Sequence, residues 1–358
     1  MTISLTSLVD AESATFTSQV ARALGADIAS IEAIGGGRNS QVYHVVCNGA
    51  QEYVVKRYAT RCSDDRDRLG VECSSLQFLW DHGVRNIPQP VISDTAEGWA
   101  VYVYLHGQRI AVSEINPLDL EDAVRFLTTL KSLRDHPDSH ALPAASEACF
   151  STQAILDNLE QRLHRFTAVE KDDAAFAALR TFFSSEFYPA RERIVRWCSV
   201  RLKQHGSTFD AVLPMRYRTL SPSDFGFHNA LRLADGRLVY LDFEYFGWDD
   251  PAKILIDFVL HPAMALSQPL GRQFATQLLY LFEDDRALPQ RAELFYPLFG
   301  LKWCLILLNE FVPEDLLRRG FAKAAALRTS ELQMAQLEKA KRVLSRVMRD
   351  YEQFPYSV

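Results

Sequence analysis

The sequence has 358 residues, 48% of them hydrophobic and 23% charged, which is long enough for two compact domains and excludes a chain dominated by disorder. Its formal net charge of -6 gives no general attraction for phosphate backbones or acidic membranes, so we expect neither nucleic acid nor a membrane as a partner. The six cysteines lack a C-x-x-C pair, which indicates buried thiols in a reducing compartment rather than a disulfide framework or a zinc site.

The N-terminal segment "MTISLTSLVDAESATF" does not resemble a signal peptide, because it lacks a basic start and acidic residues appear by Asp10 and Glu12. The most apolar stretch, "YPLFGLKWCLILL", is too short to span a bilayer and contains Lys302. We therefore expect a cytoplasmic protein.

Residues 1–105 are predicted to form an N-terminal lobe with a five-stranded sheet. The segments "IASIEAI", "QVYHVVC" and "EYVVKRY" have strand periodicity, and Asn48-Gly49 between the last two is a strong hairpin signal. A helical segment, "DRDRLGVECSSLQFLWDHG", follows, and then two more strands, "IPQPVIS" and "GWAVYVYL".

This predicted lobe contains three elements suited to a triphosphate. Gly35, Gly36 and Gly37 lie between two strands, where backbone amides can approach phosphate oxygens without interference from side chains. Lys56 lies among valines on a central strand, where its ammonium group needs an anionic partner, and Glu72 on the next helix is a candidate. Together they predict a lobe that clamps the triphosphate of ATP.

Residues 106–358 are predicted to form a helical C-terminal lobe that carries a catalytic loop, a metal site and an acceptor pocket. Helical segments fill the chain to about Gly206 and again from Pro289 onward. The last helix has an apolar stripe that we expect to pack against the core, consisting of Met334, Leu337, Ala340, Leu344 and Val347.

One hairpin in this region places oxygen-bearing side chains close together. Asp235-Gly236 predicts a two-residue turn between "NALRLA" and "RLVYLDF", which would put Asn229 directly opposite Asp242, with Cβ atoms roughly 4.5 to 5.5 Å apart. An amide and a carboxylate at that distance can share Mg²⁺, while Asp224 on the entering loop can orient an attacking hydroxyl. Phosphoryl transfer requires this combination.

The order of these elements resembles the aminoglycoside phosphotransferase and choline kinase-like family, which shares the protein-kinase fold, from about Ile31 to Asn309. The resemblance implies an α+β, two-lobed protein-kinase-like fold with a small antiparallel-sheet N-lobe and a larger, mostly helical C-lobe. It also implies an ATP-dependent enzyme that transfers the γ-phosphoryl group to a hydroxyl of a sugar, amino sugar or amino alcohol.

The same resemblance assigns roles to individual residues. Lys56 would bind the α- and β-phosphates and pair with Glu72, Asp224 would be the catalytic base, and Asn229 and Asp242 would bind Mg²⁺. The segment "GGGRNSQVY" resembles the family's Gly-x-x-Asn loop, and "YVYLHG" resembles its adenine-binding hinge. These two segments add the nucleotide-binding candidates Asn39, Ser40, Val103 and Leu105.

The sequence departs from the family pattern at two positions. The family usually has a histidine two residues before the catalytic aspartate, where this chain has Pro222, so the geometry of the loop is in question. The family also tends to have an aspartate where this chain has Ile254, and Asp257 is a possible substitute.

The acceptor pocket is the least determined part of the predicted site. Glu244, Tyr245, Trp248 and Trp303 could line it and favour a cationic group. Aromatic residues at helical spacing are more often core, however, and "LKWCLILLNEF" is typical of a buried helix. Asp250-Pro251 is predicted to start a helix as its N-cap and first residue.

Two other functions compete with a small-molecule kinase. A protein kinase carries a substrate-docking segment after the magnesium aspartate, whereas here the next helix is predicted within about ten residues of Asp242. A nucleotide-binding pseudokinase that regulates a partner is the second alternative, and Pro222 is the feature that favours it.

Overall fold

The computed structural model describes residues 5–36, 39–58, 66–167, 173–312 and 329–357. Within these residues, one compact unit ends at His106 and a second begins at Gly107. We call them unit 1 and unit 2.

Unit 1 is built on a five-stranded antiparallel sheet. Its strands are β1 (Ile28–Gly36), β2 (Ser40–Cys47), β3 (Glu52–Tyr58), β4 (Pro90–Asp94) and β5 (Trp99–Val103), in the order β1-β2-β3-β5-β4. Two helices accompany the sheet, α1 (Leu5–Leu24) and α2 (Arg68–Asp81). Apolar residues of α1 and three strands form one core cluster, consisting of Phe16, Val20, Val45, Val55, Trp99 and Val101. This burial holds β3 at the centre of the sheet.

The turn between β2 and β3 has three residues, one more than the Asn48-Gly49 pair that signalled the hairpin. The N–H of Cys47 donates to the carbonyl of Gln51 at 2.9 Å, and Ala50 takes a left-handed conformation with φ +60°. A three-residue hairpin turn normally needs such a residue at its last position. The resulting register places Lys56 opposite Val42 on β2 and Ala100 on β5.

Unit 2 is mostly helical and contains two small sheets. The helices are α3 (Pro117–Leu133), α4 (Thr152–Thr167), α5 (Ala174–Phe182), α6 (Tyr188–Gln204), α7 (Pro251–Leu260), α8 (Gln268–Leu281), α9 (Leu288–Leu307) and α10 (Thr329–Asp350). One sheet joins β6 (Gly107–Arg109), β8 (Ala230–Leu233) and β9 (Leu238–Tyr240), and the other joins β7 (Thr219–Ser221) and β10 (Gly247–Asp249). The predicted N-cap of α7 is confirmed, because the side chain of Asp250 accepts a hydrogen bond from the N–H of Ala252 at 2.8 Å.

Helix α9 is the central helix of unit 2. Together with the helical turn that follows, the segment Leu288–Phe311 is long and apolar enough to cross a membrane, but 89% of its most apolar window is buried inside the protein. This segment is therefore longer than the apolar stretch identified in the sequence, and its apolar side chains are buried by packing within the protein.

Helix α10 packs its predicted stripe against this core. Leu337, Ala340, Leu344 and Val347 are buried, whereas Met334 is 37% exposed, so the prediction for Met334 was wrong. The contact is close at Gly300 of α9, where an added Cβ would lie 2.4 Å from Cγ2 of Val347. A glycine is needed there because the two helices leave no room for a methyl group.

Candidate active site

Lys56 and Glu72 form a buried ion pair in unit 1. Nζ of Lys56, on β3, donates to Oε2 of Glu72, on α2, at 2.8 Å. The two side chains retain only 12% and 4% of their exposure. A lysine on a central strand costs free energy unless an anion meets its ammonium group, and Glu72 provides that anion. The structure thus brings together the two residues that the sequence analysis paired.

The glycine-rich segment is partly strand rather than loop. Gly35 and Gly36 complete β1 and pair with Val42 and Gln41, which corrects the prediction that they lie between the strands. Gly35 has φ +116°, at a shift in register after Ala33. Glycine adopts this conformation without a steric penalty, so the strand can bulge there.

The remaining residues of this segment follow the bulge. Asn39 is partly buried, and Ser40 is buried at the start of β2. Gly37, the third predicted glycine, lies outside the described residues.

The predicted adenine-binding hinge begins within the last strand of unit 1, because Val103 is the final residue of β5. The N–H of Val103 donates to the carbonyl of Gln89 at 3.0 Å, and the N–H of Tyr104 donates to the carbonyl of Glu52 at 3.1 Å. Both amides therefore stabilise unit 1 itself. An adenine bound at this segment would have to use other backbone groups, such as those of Leu105.

In unit 2, Asp224 follows a tight turn in the loop after β7. The N–H of Asp224 donates to the carbonyl of Pro222 at 2.9 Å, and the intervening Ser223 has φ +68°. A hydrogen bond across two residues with a positive φ between them defines a γ-turn of the strained kind. The N–H of Ser223 also donates to Oγ of Ser221 at 2.9 Å, so the turn is fixed from both sides.

The carboxylate of Asp224 accepts hydrogen bonds at both oxygens. Nε2 of His228 lies 3.1 Å and Nε2 of His261 lies 3.5 Å from Oδ1, and Nδ2 of Asn229 lies 3.3 Å from Oδ2. The two imidazole rings are stacked, with centroids 3.8 Å apart and planes 6° from parallel. The contacts of His228, His261 and Asn229 hold a side chain that is still 35% exposed.

These contacts determine the charge of Asp224. Burial alone would raise the pKa of Asp224, but the hydrogen bond from His228, the neighbouring imidazole of His261 and the amide of Asn229 together lower it well below its usual value. Asp224 is therefore a carboxylate at neutral pH, and its partial exposure leaves it able to accept a further hydrogen bond.

His261 was missed by the sequence analysis. It follows α7, and its Nδ1 accepts a hydrogen bond from the N–H of Ala263 at 3.2 Å, which leaves the ring proton on Nε2, facing Asp224. The ring of Trp303 meets His261 edge-on, with centroids 4.6 Å apart. The only signal in the sequence was a histidine at the end of the helix that Asp250-Pro251 starts.

The hairpin between β8 and β9 differs from the prediction by one residue in register. Ala230 pairs with Tyr240, and the N–H of Leu241 donates to the carbonyl of Asn229 at 2.7 Å. The prediction that Asn229 lies directly opposite Asp242 was therefore wrong.

The physical reason is the length of the turn. The N–H of Leu233 donates to the carbonyl of Arg237 and the N–H of Gly236 to the carbonyl of Leu233, each at 2.9 Å. The turn therefore contains three residues, and Gly236, with φ +86°, takes the left-handed position at its end. An Asp-Gly pair is compatible with both turn lengths, so the dipeptide alone could not determine the register.

Asn229 and Asp242 nevertheless fit a hard divalent cation in their chemistry. Nδ2 of Asn229 donates to the carbonyl of Asp224 at 3.0 Å, which leaves Oδ1 as the amide atom that can face a cation. Asp242 directly follows Leu241, the residue hydrogen-bonded to Asn229, and its φ of +66° turns the chain there. Amide and carboxylate oxygens are the ligands that Mg²⁺ takes in proteins.

Among the four predicted acceptor residues, Trp303 packs against His261, and Nε2 of His261 lies 3.5 Å from Oδ1 of Asp224. Trp248 is buried on β10 and donates from Nε1 to the carbonyl of Ser139 at 3.1 Å, which is a structural role. Glu244 is buried, and the carbonyl of Tyr245 accepts a hydrogen bond from the N–H of Ser146.

The chain was compared with known protein families and with solved structures. The profile of the phosphotransferase enzyme family matches residues 30–294. No curated protein sequence gives a significant match.

Solved structures with the same fold cover nearly the whole chain at low identity. Choline kinase LicA from Streptococcus pneumoniae superimposes with a TM-score of 0.58 at 15% identity, over 94% of this chain and 99% of its own. Spectinomycin phosphotransferase APH(9)-Ia, in complex with ADP and spectinomycin, gives 0.63 at 13% identity, over 92% and 95%. The gentamicin complex of APH(2")-IIa gives 0.57 at 15% identity, over 96% and 98%. The chain therefore has the two-lobed, protein-kinase-like α+β fold.

Proposed function

This chain belongs to the phosphotransferase enzyme family, and on that premise we propose that it is an ATP-dependent kinase for a small molecule. It transfers the γ-phosphoryl group of ATP to a hydroxyl of a sugar, an amino sugar or an amino alcohol. The observation that carries this proposal is the geometry around Asp224, whose two carboxylate oxygens are contacted by His228, His261 and Asn229.

In this proposal Asp224 orients the acceptor hydroxyl and accepts its proton as the new oxygen–phosphorus bond forms. Its lowered pKa makes it a weak base, which suits phosphoryl transfer because the catalyst mainly positions groups and neutralises charge. The donors around Asp224 keep the carboxylate fixed, so little reorganisation is needed when the acceptor binds.

Lys56 supplies a cation for the phosphate oxygens of ATP. Its pairing with Glu72 holds the ammonium group at one place on β3, so that it does not have to be ordered when the nucleotide binds. Asn229 and Asp242 would hold Mg²⁺, which neutralises phosphate charge when it is bound.

The acceptor is proposed to be small for two reasons. Strand β10 and then α7, which begins at Pro251, follow closely after Asp242, so the chain there serves the fold rather than a docking segment for a protein substrate. The structural relatives include a choline kinase and enzymes solved with spectinomycin and gentamicin, which are small hydroxyl-bearing molecules.

The experiment is an ADP-release assay with Mg²⁺ and ATP across a panel of sugars, amino alcohols and aminoglycosides. We expect at least one acceptor to stimulate ADP release, and we expect the Asp224→Ala variant to lose that stimulation while it still binds nucleotide. Nucleotide binding without ADP release for every acceptor would favour the pseudokinase alternative.

A further inference from the structure

Unit 2 contains a lysine that is almost completely buried and lies behind the loop of Asp224. Lys253, on the first turn of α7, retains 2% side-chain exposure. Its Nζ donates to Oγ of Ser223 at 2.9 Å and to Oδ2 of Asp249 at 2.8 Å, and it lies 3.4 Å from Oδ2 of Asp257. All three partners belong to unit 2, and one of them is the neighbour of Asp224 in the chain.

Ser223 is the strained residue of the γ-turn. A side chain other than glycine at φ +68° persists only where the surrounding structure holds it. The hydroxyl of Ser223 donates to the carbonyl of Ser146 at 3.0 Å, and therefore accepts from Lys253. Lys253 and Ser146 thus fix the side chain of Ser223, while Ser221 fixes its amide.

The charge of Lys253 is maintained by its neighbours. Burial alone would lower the pKa of Lys253, but the carboxylates of Asp249 and Asp257 raise it above its usual value, so the ammonium group remains charged. A buried ion pair can often be replaced by apolar residues without loss of stability, which makes stability a weak reason for a lysine at this position. Its third contact, with Ser223, suggests another reason.

We propose that Lys253 is a positioning residue for Asp224: it holds Ser223 in the left-handed turn that aims the carboxylate. The catalytic consequence of this inference rests on the proposed function, whereas the positioning of the Asp224 loop by Lys253 does not. It also accounts for Pro222, because the loop is supported from α7 rather than by a histidine two residues before Asp224. Asp257 contacts Lys253 and Trp303, so it supports the lysine that holds the loop.

The test compares two variants that each remove a buried ion pair at the start of α7. Lys253→Met combined with Asp249→Asn removes the contact with Ser223 and the ion pair with residue 249. In the wild type the N–H of Asp250 donates to Oδ1 of Asp249, and the asparagine side chain keeps an acceptor for it. Arg291→Met combined with Asp250→Asn and Asp285→Asn removes the ion pairs of Arg291 with both aspartates and keeps a good N-cap at residue 250. Only the first variant breaks a contact of the catalytic loop.

Hydrogen exchange of peptides that cover residues 221–229 is the first measurement. We expect exchange at the Ser223 and Asp224 amides to accelerate about tenfold or more in the Lys253/Asp249 variant and to change by less than about twofold in the control. Equal protection in the Lys253/Asp249 variant and wild type would overturn the proposal. This measurement is independent of catalysis, so it decides the inference even if no acceptor stimulates ADP release.

Kinetics is the second measurement, with the acceptor that the ADP-release panel identifies. We expect kcat to fall about 10- to 100-fold in the Lys253/Asp249 variant, with KM for ATP within about threefold of wild type. The control should keep kcat. A loss confined to KM for ATP, or an equal loss of kcat in both variants, would contradict a positioning role.

Two substitutions at Ser223 keep the test decisive if the Lys253/Asp249 variant does not fold. Ser223→Ala removes the hydroxyl but leaves the ion pair intact, and it should reproduce the fall in kcat. Ser223→Gly also removes the hydroxyl but adopts φ +68° without strain, so it should retain more activity than Ser223→Ala by about tenfold. Equal activity of the two variants would show that the left-handed turn does not need an anchor.

Discussion

The ion pair between Lys56 and Glu72 allows stability and nucleotide binding to be separated. Three variants are compared: Lys56→Met, Glu72→Met, and the double variant with both substitutions. Lys56→Met removes the cation that lies 2.8 Å from the buried carboxylate of Glu72, and Glu72→Met removes the anion that lies 2.8 Å from the buried ammonium group of Lys56. The double variant removes both charges and fills the space with apolar side chains of similar length.

The magnitudes follow from burial. Removing one partner of a buried pair costs about 3–5 kcal/mol, and we expect about 3 kcal/mol here since Lys56 keeps 12% exposure. The double variant should recover to within about 1 kcal/mol of wild type. Affinity for ATP should not recover, because a charge-assisted hydrogen bond to a phosphate is worth about 1.5–3 kcal/mol, or roughly 10- to 150-fold in Kd.

The assays are urea unfolding for stability and calorimetric titration for the Kd of ATP. Lys302→Met is a matched control, since it removes a buried lysine that lies 3.0 Å from Glu147 in unit 2 and should lower stability without changing the Kd of ATP. If the double variant of Lys56 and Glu72 regains both stability and ATP affinity, then Lys56 has only a structural role and our reasoning is wrong.

Three further predictions concern the site, a turn and a helix contact. Asp224→Ala should lower turnover about 10²- to 10⁴-fold and change the Kd of ATP by less than about threefold, measured by ADP release and calorimetry; a loss below tenfold would contradict the assigned role. Ala50→Gly should raise the free energy of unfolding by up to about 1 kcal/mol in urea, because Ala50 has φ +60°. Gly300→Ala should lower it by about 1–3 kcal/mol, because the new Cβ would lie 2.4 Å from Val347, and Val347→Ala should reverse most of that loss.

The sequence was sufficient to predict the strands of unit 1 and the pairing of Lys56 with Glu72. Strand periodicity placed the lysine on a central strand, and the cost of burying its charge pointed to a partner on the next helix. Helix α1 was not predicted, because its segment is rich in Ser and Thr, which have low helix propensity. Its apolar side chains Phe16 and Val20 belong to the core cluster of unit 1. A local sequence pattern cannot show such packing against distant strands.

The register of the two hairpins could not be predicted from their turn residues. Asn48-Gly49 and Asp235-Gly236 each predict a hairpin, but both turns contain three residues, and the last of them, Ala50 in one and Gly236 in the other, is left-handed. A one-residue shift changes which side chains face each other, and this is why Asn229 faces Leu241 rather than Asp242.

The supports of Asp224 depend on packing between segments that are distant in the chain. His261 reaches the carboxylate from the end of α7, and Lys253 reaches Ser223 from the beginning of the same helix. Neither side chain belongs to a local motif, and a buried lysine cannot be distinguished from an exposed one without the fold. The sequence could therefore point to Asp224 as a candidate for the chemistry, but not to the residues that hold its side chain in place.

The most direct test of phosphoryl transfer is ³¹P NMR of the reaction with ATP, Mg²⁺ and the panel of small hydroxyl-bearing acceptors. We predict that one acceptor yields a phosphomonoester signal matched by ADP, and that this signal disappears with Asp224→Ala or with excess EDTA. Release of inorganic phosphate alone, or unchanged ATP with every acceptor, would contradict the assignment of a small-molecule kinase.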